Sequence, residues 1–372
     1  MGLVIDNHCH ISSEVPGRRE FSWQQSWLVC MQWAYGPYSP NKGRPPFTRD
    51  PSALFPRQGL RYADPEGVYT IAAMDKGGID MGVMLPEDYD FSWGSHADIG
   101  IEEKHEHQYQ MIQKYPGRFV HFGGPDPRRP GAKEIFRRAI TQYGAKGLKL
   151  MPKNGYHPWQ DECYELYDVC MEFGLPMSTC TEPNAGGYNW GRFSDPMDLL
   201  DVIGDFPDMP LTLLHAGDPL FDYFEKSLFV ASGNVNTYIE LNFWLKPAAG
   251  VEGIMASGPF FGFPPGFGHN LNEEVVVLML ARARDILGAH KITWGIDTHF
   301  GAAMRNTGWK VAPWLKGLTQ TAAKYGKQFS QDEVDLILGE NVARVLKLKE
   351  YPEWKMERKY GYTRRDPRPR YR

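Results

Sequence analysis

The residues of this chain best suited to chemistry are histidines and carboxylates at the ends of short apolar runs. The first run, Leu3, Val4 and Ile5, leads into Asp6-Asn7-His8-Cys9-His10. Successive side chains of a strand alternate faces, so His8 and His10 share one face and Cys9 takes the other. Neutral imidazole is the commonest biological metal ligand, and two at one strand end make half of a divalent metal site. His215 closes a second apolar run, PLTLL, and Asp297 follows a third, KITWGI. A buried carboxylate is costly unless it is paired or bound to a metal. Together His8, His10, His215 and Asp297 supply the donor set expected around Zn²⁺, Mn²⁺ or Fe²⁺.

Other candidates stand nearby. Glu240 ends the run VNTYIE and points either into the same mouth or into a salt bridge at the core edge. His299 lies two residues beyond Asp297 and is a candidate ligand, acid/base or substrate contact. Lys149 sits within GLKL, and His157, in the loop that follows, is a candidate pocket residue. His105 and His107, in EEKHEHQ, are expected on a solvated helical face.

These groups need a scaffold that brings strand ends together. Strand-like segments at 79–85, 118–124, 146–152, 175–182, 209–217, 235–242 and 291–297 follow the first one. Helical patterns at 66–77, 99–115, 133–144, 159–174, 196–206, 219–229 and 273–288 separate them. Strands alternating with helices imply βαβ units and a parallel sheet. Eight such strands predict an α/β fold of the (β/α)8 barrel type, with reactive groups at the strands' C-terminal ends. Residues 1–348 are expected to form this one domain. Residues 11–65, rich in Trp, Tyr, Pro and Gly, read as an insertion forming a cap or lid. A Gly/Pro/Phe loop at 243–272 is expected over the pocket or against another subunit. A basic, aromatic arm at 349–372 is expected to pack on a neighbouring subunit. A capping box, Ser330 to Glu333, starts the helix before that arm.

The HxH on strand one, the GLKLMP strand, HAG after strand six, WGID on strand eight and the GENVARVL helix resemble the amidohydrolase superfamily. More narrowly, they resemble its amidohydrolase-related branch, which includes the aminocarboxymuconate-semialdehyde and γ-resorcylate decarboxylases. The likeness runs in order from residue 1 to about 348. It implies a (β/α)8 barrel, a divalent metal on His8 and His10, Asp297 as metal ligand or proton carrier, and His215 as the strand-six histidine. The family usually places a metal-binding histidine at the end of strand five. Here Cys180 stands at that position and Glu182 lies two residues on, facing the same way. Glu182 is the preferred substitute ligand, with Cys180 and Glu240 as weaker ones. A strand-four lysine can be carbamylated to bridge two metals elsewhere in the superfamily, but in this branch Lys149 is expected to be structural.

The leading expectation is therefore a metal-dependent lytic enzyme, a hydrolase or non-oxidative decarboxylase acting on a small organic or aromatic acid. Asp297 would shuttle the proton, with His215 and His299 as further catalytic candidates, around one or two Zn, Mn or Fe ions. The strand-five change opens an alternative: a non-haem iron or manganese–iron hydroxylase like the divergent 2-aminoisobutyric acid hydroxylase group. A third expectation is a metal-bound, non-catalytic subunit of a hetero-oligomer.

Composition narrows the partners. The 372-residue chain carries 23% charged residues and a net charge of −4, which gives no basic bias toward nucleic acid. Neither a signal-peptide pattern nor an apolar run of membrane-spanning length is read in it. Five cysteines without regular spacing favour free thiols and a reducing, cytoplasmic setting. A small-molecule substrate and a homo- or hetero-oligomer, formed through the arm and the 243–272 loop, are expected.

Overall fold

The computed structural model describes residues 2–18, 20, 63–88, 91, 97–183, 190–251, 271–297, 299–301 and 307–348. Most of the expected cap, most of the 243–272 loop and the whole basic arm lie outside the described residues.

Strands and helices alternate from the start. In chain order they are β1 (Ile5–Cys9), α1 (Val68–Gly77), β2 (Met81–Met84), α2 (Ile101–Lys114), β3 (Phe119–His121), α3 (Ala132–Thr141) and β4 (Leu148–Leu150). There follow α4 (Asp161–Phe173), β5 (Met177–Cys180), α5 (Leu199–Asp205), β6 (Leu211–Leu214), α6 (Phe221–Ser232), β7 (Thr237–Leu241), α7 (Glu273–Leu287) and β8 (Ile292–Trp294). Four short helices complete the described chain: α8 (Val311–Lys316), α9 (Leu318–Ala323), α10 (Gln331–Asp335) and α11 (Asn341–Val345).

All strand pairs are parallel, in one ladder β1-β2-β3 and a second β4-β5-β6-β7-β8. Backbone bonds join the two ladders at both seams. At one, Gly123 bridges Leu148 and the Lys149 N–H donates to the Gly123 carbonyl at 2.7 Å. At the other, His10 bridges His299 and the Asp297 N–H donates to the His8 carbonyl at 2.7 Å. The buried Asp6 carboxylate adds to this seam, accepting from His8 N at 3.0 Å and Ile296 N at 2.8 Å. The eight strands thus form the expected (β/α)8 barrel.

The helices pack on it through one face each. On α4 the buried residues are Cys163, Tyr164, Leu166, Tyr167, Val169 and Cys170, the three-and-four spacing of an amphipathic helix. Burying each of the larger apolar side chains contributes roughly 1.5–3 kcal/mol. Cys9, Cys163, Cys170 and Cys180 are buried free thiols that fill core volume. The expected capping box is present: Ser330 caps Glu333 N and the Glu333 carboxylate returns to Ser330 N.

Two close approaches fix strands β1 and β8. Gly339 lies in a π-helical turn, Leu336–Glu340, between α10 and α11; a Cβ there would meet the Leu3 carbonyl at 1.9 Å. Asn341 donates to the carbonyls of Ala289 and Ile292, so the GENVARVL segment holds the start of β8. Gly295, in WGID, passes His8 so closely that a Cβ would lie 2.5 Å from the His8 Cβ.

One expectation fails. His105 and His107 do not face solvent: they are 1% and 9% exposed. Helix α2 turns a polar face inward because that face has partners. Gly124 N donates to His105 Nε2 at 3.2 Å, and His107 Nε2 donates to the Pro65 carbonyl at 2.7 Å.

Candidate functional site

Strands β1, β5, β6, β7 and β8 bring the expected residues to one end of the barrel. His8 and His10 leave β1 on the same face, and both direct Nε2 at one oxygen, Asp297 Oδ1, at 3.4 and 3.0 Å. The other Asp297 oxygen, Oδ2, lies 3.5 Å from His215 Nδ1 and accepts from Asn242 Nδ2 at 3.1 Å. Asp297, His215 and Ala216 all hold positive φ, at 46°, 68° and 43°. Such conformations cost free energy in non-glycine residues and cluster at functional sites. Here they turn both side chains out of their strand ends toward His8.

The histidine tautomers follow from their partners. His10 Nδ1 lies 2.8 Å from the Leu85 carbonyl, which can only accept, so Nδ1 carries hydrogen. Its Nε2 therefore presents a lone pair to the Asp297 carboxylate. Two electron-rich atoms 3.0 Å apart require a proton or a cation at that point. Asn242 Oδ1 accepts from Phe243 N, so its amide nitrogen is the one that donates to His215 Nδ1, at 2.8 Å. The His215 proton therefore sits on Nε2, 2.9 Å from Glu182 Oε2. These two atoms are nevertheless misaligned for a hydrogen bond, and both are buried without a hydrogen-bond partner, as is His8 Nδ1.

This donor set fits a divalent ion. Single ligand atoms of His8, His215 and Asp297 lie within 4.8 Å of one another, as do those of Cys180, Glu182 and His215. The lone pairs of His10 Nε2 and Asp297 Oδ1, facing each other at 3.0 Å, are what a cation between them would satisfy. Burial and neighbouring cations push the His8 imidazole well below its usual pKa, keeping it neutral as a ligand must be. Burial raises Asp297, but His8, His10 and His215 outweigh it and hold the carboxyl well below its usual range.

The strand-five substitution has a local explanation. Burial would raise Glu182, yet His215 and Lys153 bring it down to about 2. Lys153, just past β4, makes a short ion pair with Glu182 Oε1. Glu182 thus divides its two oxygens between an ammonium and an imidazole. Cys180 shares the His215 side of this cluster. Glu240 lies beneath the site with no exposure; its Oε2 accepts from His215 N at 2.8 Å and stands 3.6 Å from His8 Nδ1. Burial pushes it up to about 8. Lys149 Nζ approaches His8 Nε2 at 3.4 Å.

His299 stacks on His10, ring centroids 5.0 Å apart and planes 20° from parallel, and its Nε2 is 4.0 Å from Glu87 Oε2. His157 is not among these groups; it binds Asp198 at 2.6 Å and stacks on Trp159.

Several site residues were not singled out from sequence: Asn242, Lys153, Glu87, Lys246 and Asp218. Asn242 carried a usable signal, since it lies two residues past Glu240 on the same strand face. Lys246 and Asp218 are both buried, and burial pulls Lys246 down to about 8 and pushes Asp218 up to about 7. The Lys246 ammonium lies 3.8 Å from the Phe243 ring centre and donates to the Asp297 carbonyl at 3.3 Å.

The same architecture is found in solved structures. A manganese-bound 5-carboxyvanillate decarboxylase from Novosphingobium aromaticivorans, holding 3-methoxy-4-hydroxy-5-nitrobenzoic acid, aligns with TM-score 0.56 at 12% identity. That alignment covers 93% of this chain and 97% of the other. A 2,6-dihydroxybenzoate decarboxylase in complex with 2,6-dihydroxybenzoate aligns with TM-score 0.56 at 13% identity, over 94% and 99%. A zinc-bound amidohydrolase from Burkholderia multivorans aligns with TM-score 0.55 at 13% identity, over 93% and 99%. At these identities the likeness is one of fold. No curated protein sequence matches. The amidohydrolase family model, however, matches residues 5–348, from the first strand to the end of the C-terminal helix, and the chain belongs to that family.

Proposed function

We propose that this protein is a metal-dependent lytic enzyme, and within that class a non-oxidative decarboxylase of a small aromatic acid. The observation that carries the reading is the convergence of His8 and His10 on one oxygen of Asp297, beside the buried His215, whose Nε2 faces the Glu182 carboxylate. Similar solved structures named as decarboxylases of hydroxylated benzoates favour it over the iron-oxygenase alternative.

His8, His10 and Asp297, with His215 adjacent, are the residues that would hold the ion. When bound, a divalent metal supplies Lewis-acid polarisation of a substrate oxygen and a more acidic bound water. Manganese and zinc are the ions seen in the similar structures. Asp297 holds or releases a proton at Oδ1 or Oδ2. His215 Nε2 carries its proton beside the buried Glu182 carboxylate, 2.9 Å away, at the end of β6. Loss of CO₂ breaks a carbon–carbon bond and leaves its electron pair on the ring carbon. A proton taken up from solvent and carried by Asp297 then forms the new carbon–hydrogen bond, so that CO₂ leaves in exchange for one proton overall. Asn242 keeps the His215 tautomer fixed through the cycle, as a partner on the far nitrogen of a catalytic histidine does.

The test is CO₂ release from a panel of hydroxylated benzoates by protein supplied with Mn²⁺ or Zn²⁺. Turnover of at least one is expected, and Asp297→Asn should lower it by about 10²–10⁴-fold, the usual span of a lost acid/base. Turnover unaffected by Asp297→Asn, or release from none of the panel, would overturn the reading.

A further inference from the structure

We infer that the turn leaving β7, residues 242–246, carries two positioning residues, Trp244 and Lys246. They hold the left-handed backbone at the ends of β6 and β8, and so aim His215 and Asp297 into the ion site. This rests on the metal-dependent reading above and extends it to residues that act through others. Among the described residues, four that are not glycine have positive φ: His215, Ala216, Asp297 and Lys347. The first three belong to the site, and each of their carbonyls accepts from a side chain of this one turn. The Trp244 indole N–H donates to the His215 carbonyl at 2.9 Å and to the Ala216 carbonyl at 3.3 Å. The Lys246 ammonium donates to the Asp297 carbonyl at 3.3 Å. Residues with a Cβ keep such a conformation only where their surroundings over-determine it.

The turn is itself rigidly placed. Leu245 N donates to the Asn242 carbonyl at 3.1 Å and Lys246 N to the Phe243 carbonyl at 3.3 Å. The Trp244 ring packs against Phe221 and Phe224 of α6, with centroids 5.3 and 5.5 Å away, which fixes where its N–H points. Phe243 lies 7° from parallel to the His215 ring, with centroids 5.8 Å apart. Lys246 is fully enclosed, and burying an ammonium is costly. The Asp297 and Asp218 carboxyls favour its charged form. Filling core volume accounts for the Trp244 ring. It does not account for an indole N–H and a buried ammonium that both go to the carbonyls of these three left-handed residues. His215, Ala216 and Gly217 are left-handed in succession. Relaxation of that stretch would swing the His215 imidazole away from Asn242 and Asp297.

The test is the Mn²⁺ affinity of metal-stripped full-length protein, read from the electron paramagnetic resonance signal of free Mn²⁺, beside urea unfolding without metal. Trp244→Phe keeps the ring and removes the N–H; Lys246→Met keeps most of the volume and removes the ammonium. Each should weaken Mn²⁺ binding about 10–100-fold, as loss of a partner behind a metal ligand does. The metal-free unfolding midpoint of Trp244→Phe should stay near that of wild type, because the backbone it releases relaxes. Ala216→Gly lets residue 216 adopt its φ of 43° without strain, so it should return part of the affinity lost in Trp244→Phe. If Lys246→Met fails to fold, Lys246→Met/Asp218→Asn, which also removes the carboxylate charge, takes its place. An affinity loss matched by an equal loss of metal-free stability, and not relieved by Ala216→Gly, would overturn the proposal. Wild-type affinity in both the tryptophan and the lysine variant would overturn it too, and with benzoate turnover by wild type would leave the proposed function intact. A wild type that binds no Mn²⁺ would remove the metal-dependent reading and the positioning roles together.

Discussion

Glu182 decides how far this site departs from a histidine at strand five. Its carboxylate is buried between the Lys153 ammonium and His215. Removing one partner of a buried pair leaves the other charge uncompensated, at a cost of about 3–5 kcal/mol, whereas replacing both by apolar groups is often close to neutral. Glu182→Gln should therefore destabilise the fold by that order in urea unfolding, and Glu182→Gln/Lys153→Met should recover most of the loss. If the single variant is as stable as wild type, Glu182 does not serve as the counter-charge of Lys153. At this scale sequence was informative where a polar residue closed an apolar strand: His8, His10, His215 and Asp297 all met. It was silent on Lys153 and Glu87, because nothing in a loop's local pattern tells which distant strand end it will face.

Elements were legible wherever one face was apolar. The strands and the α4 pattern fell close to their expected bounds, since burial of alternate or three-and-four-spaced residues dominates there. Helix α2 escaped that logic. Its inward face carries Lys104, His105, His107 and Gln108, so apolar periodicity pointed the wrong way. That polar packing has a consequence for pH. Burial lowers His105 to about 3 and His121, on the neighbouring β3, to about 4. Both are neutral in the folded protein near pH 6, whereas in the unfolded chain they protonate near 6.5. The unfolded state thus binds more protons as pH falls, and the stability present above pH 6.5 is lost progressively down to about 3–4. At about 1.4 kcal/mol per pH unit and per group, the loss reaches several kcal/mol. Urea midpoints measured from pH 7 to 4 should fall, and His121→Gln should flatten the slope. An identical slope in that variant would exclude His121 from the effect.

The barrel as a whole is a ring whose final seam carries the candidate site. Alternation of strands and helices made the ring legible, but not how its ends lock. That depends on Asp6, Gly295 and Gly339, each meaningful only once β1, β8 and the C-terminal helix lie side by side. His8 and His10 come from one end of the chain and Asp297 from the other, 287 positions from His10. An ion held across that seam binds the closed ring and finds no such cluster in the unfolded chain, so it must stabilise folding by mass action. At free metal one hundred times the dissociation constant, the gain is about 2.7 kcal/mol. A chelator should accordingly lower the unfolding temperature of wild type. His8→Ala/His10→Ala, which removes both histidines of the proposed ion site, should be purified folded, contain no bound metal and show no chelator response. Calorimetry with and without chelator, beside elemental analysis, makes the comparison. An equal downward shift in the double variant would mean that the stabilising ion sits elsewhere in the molecule.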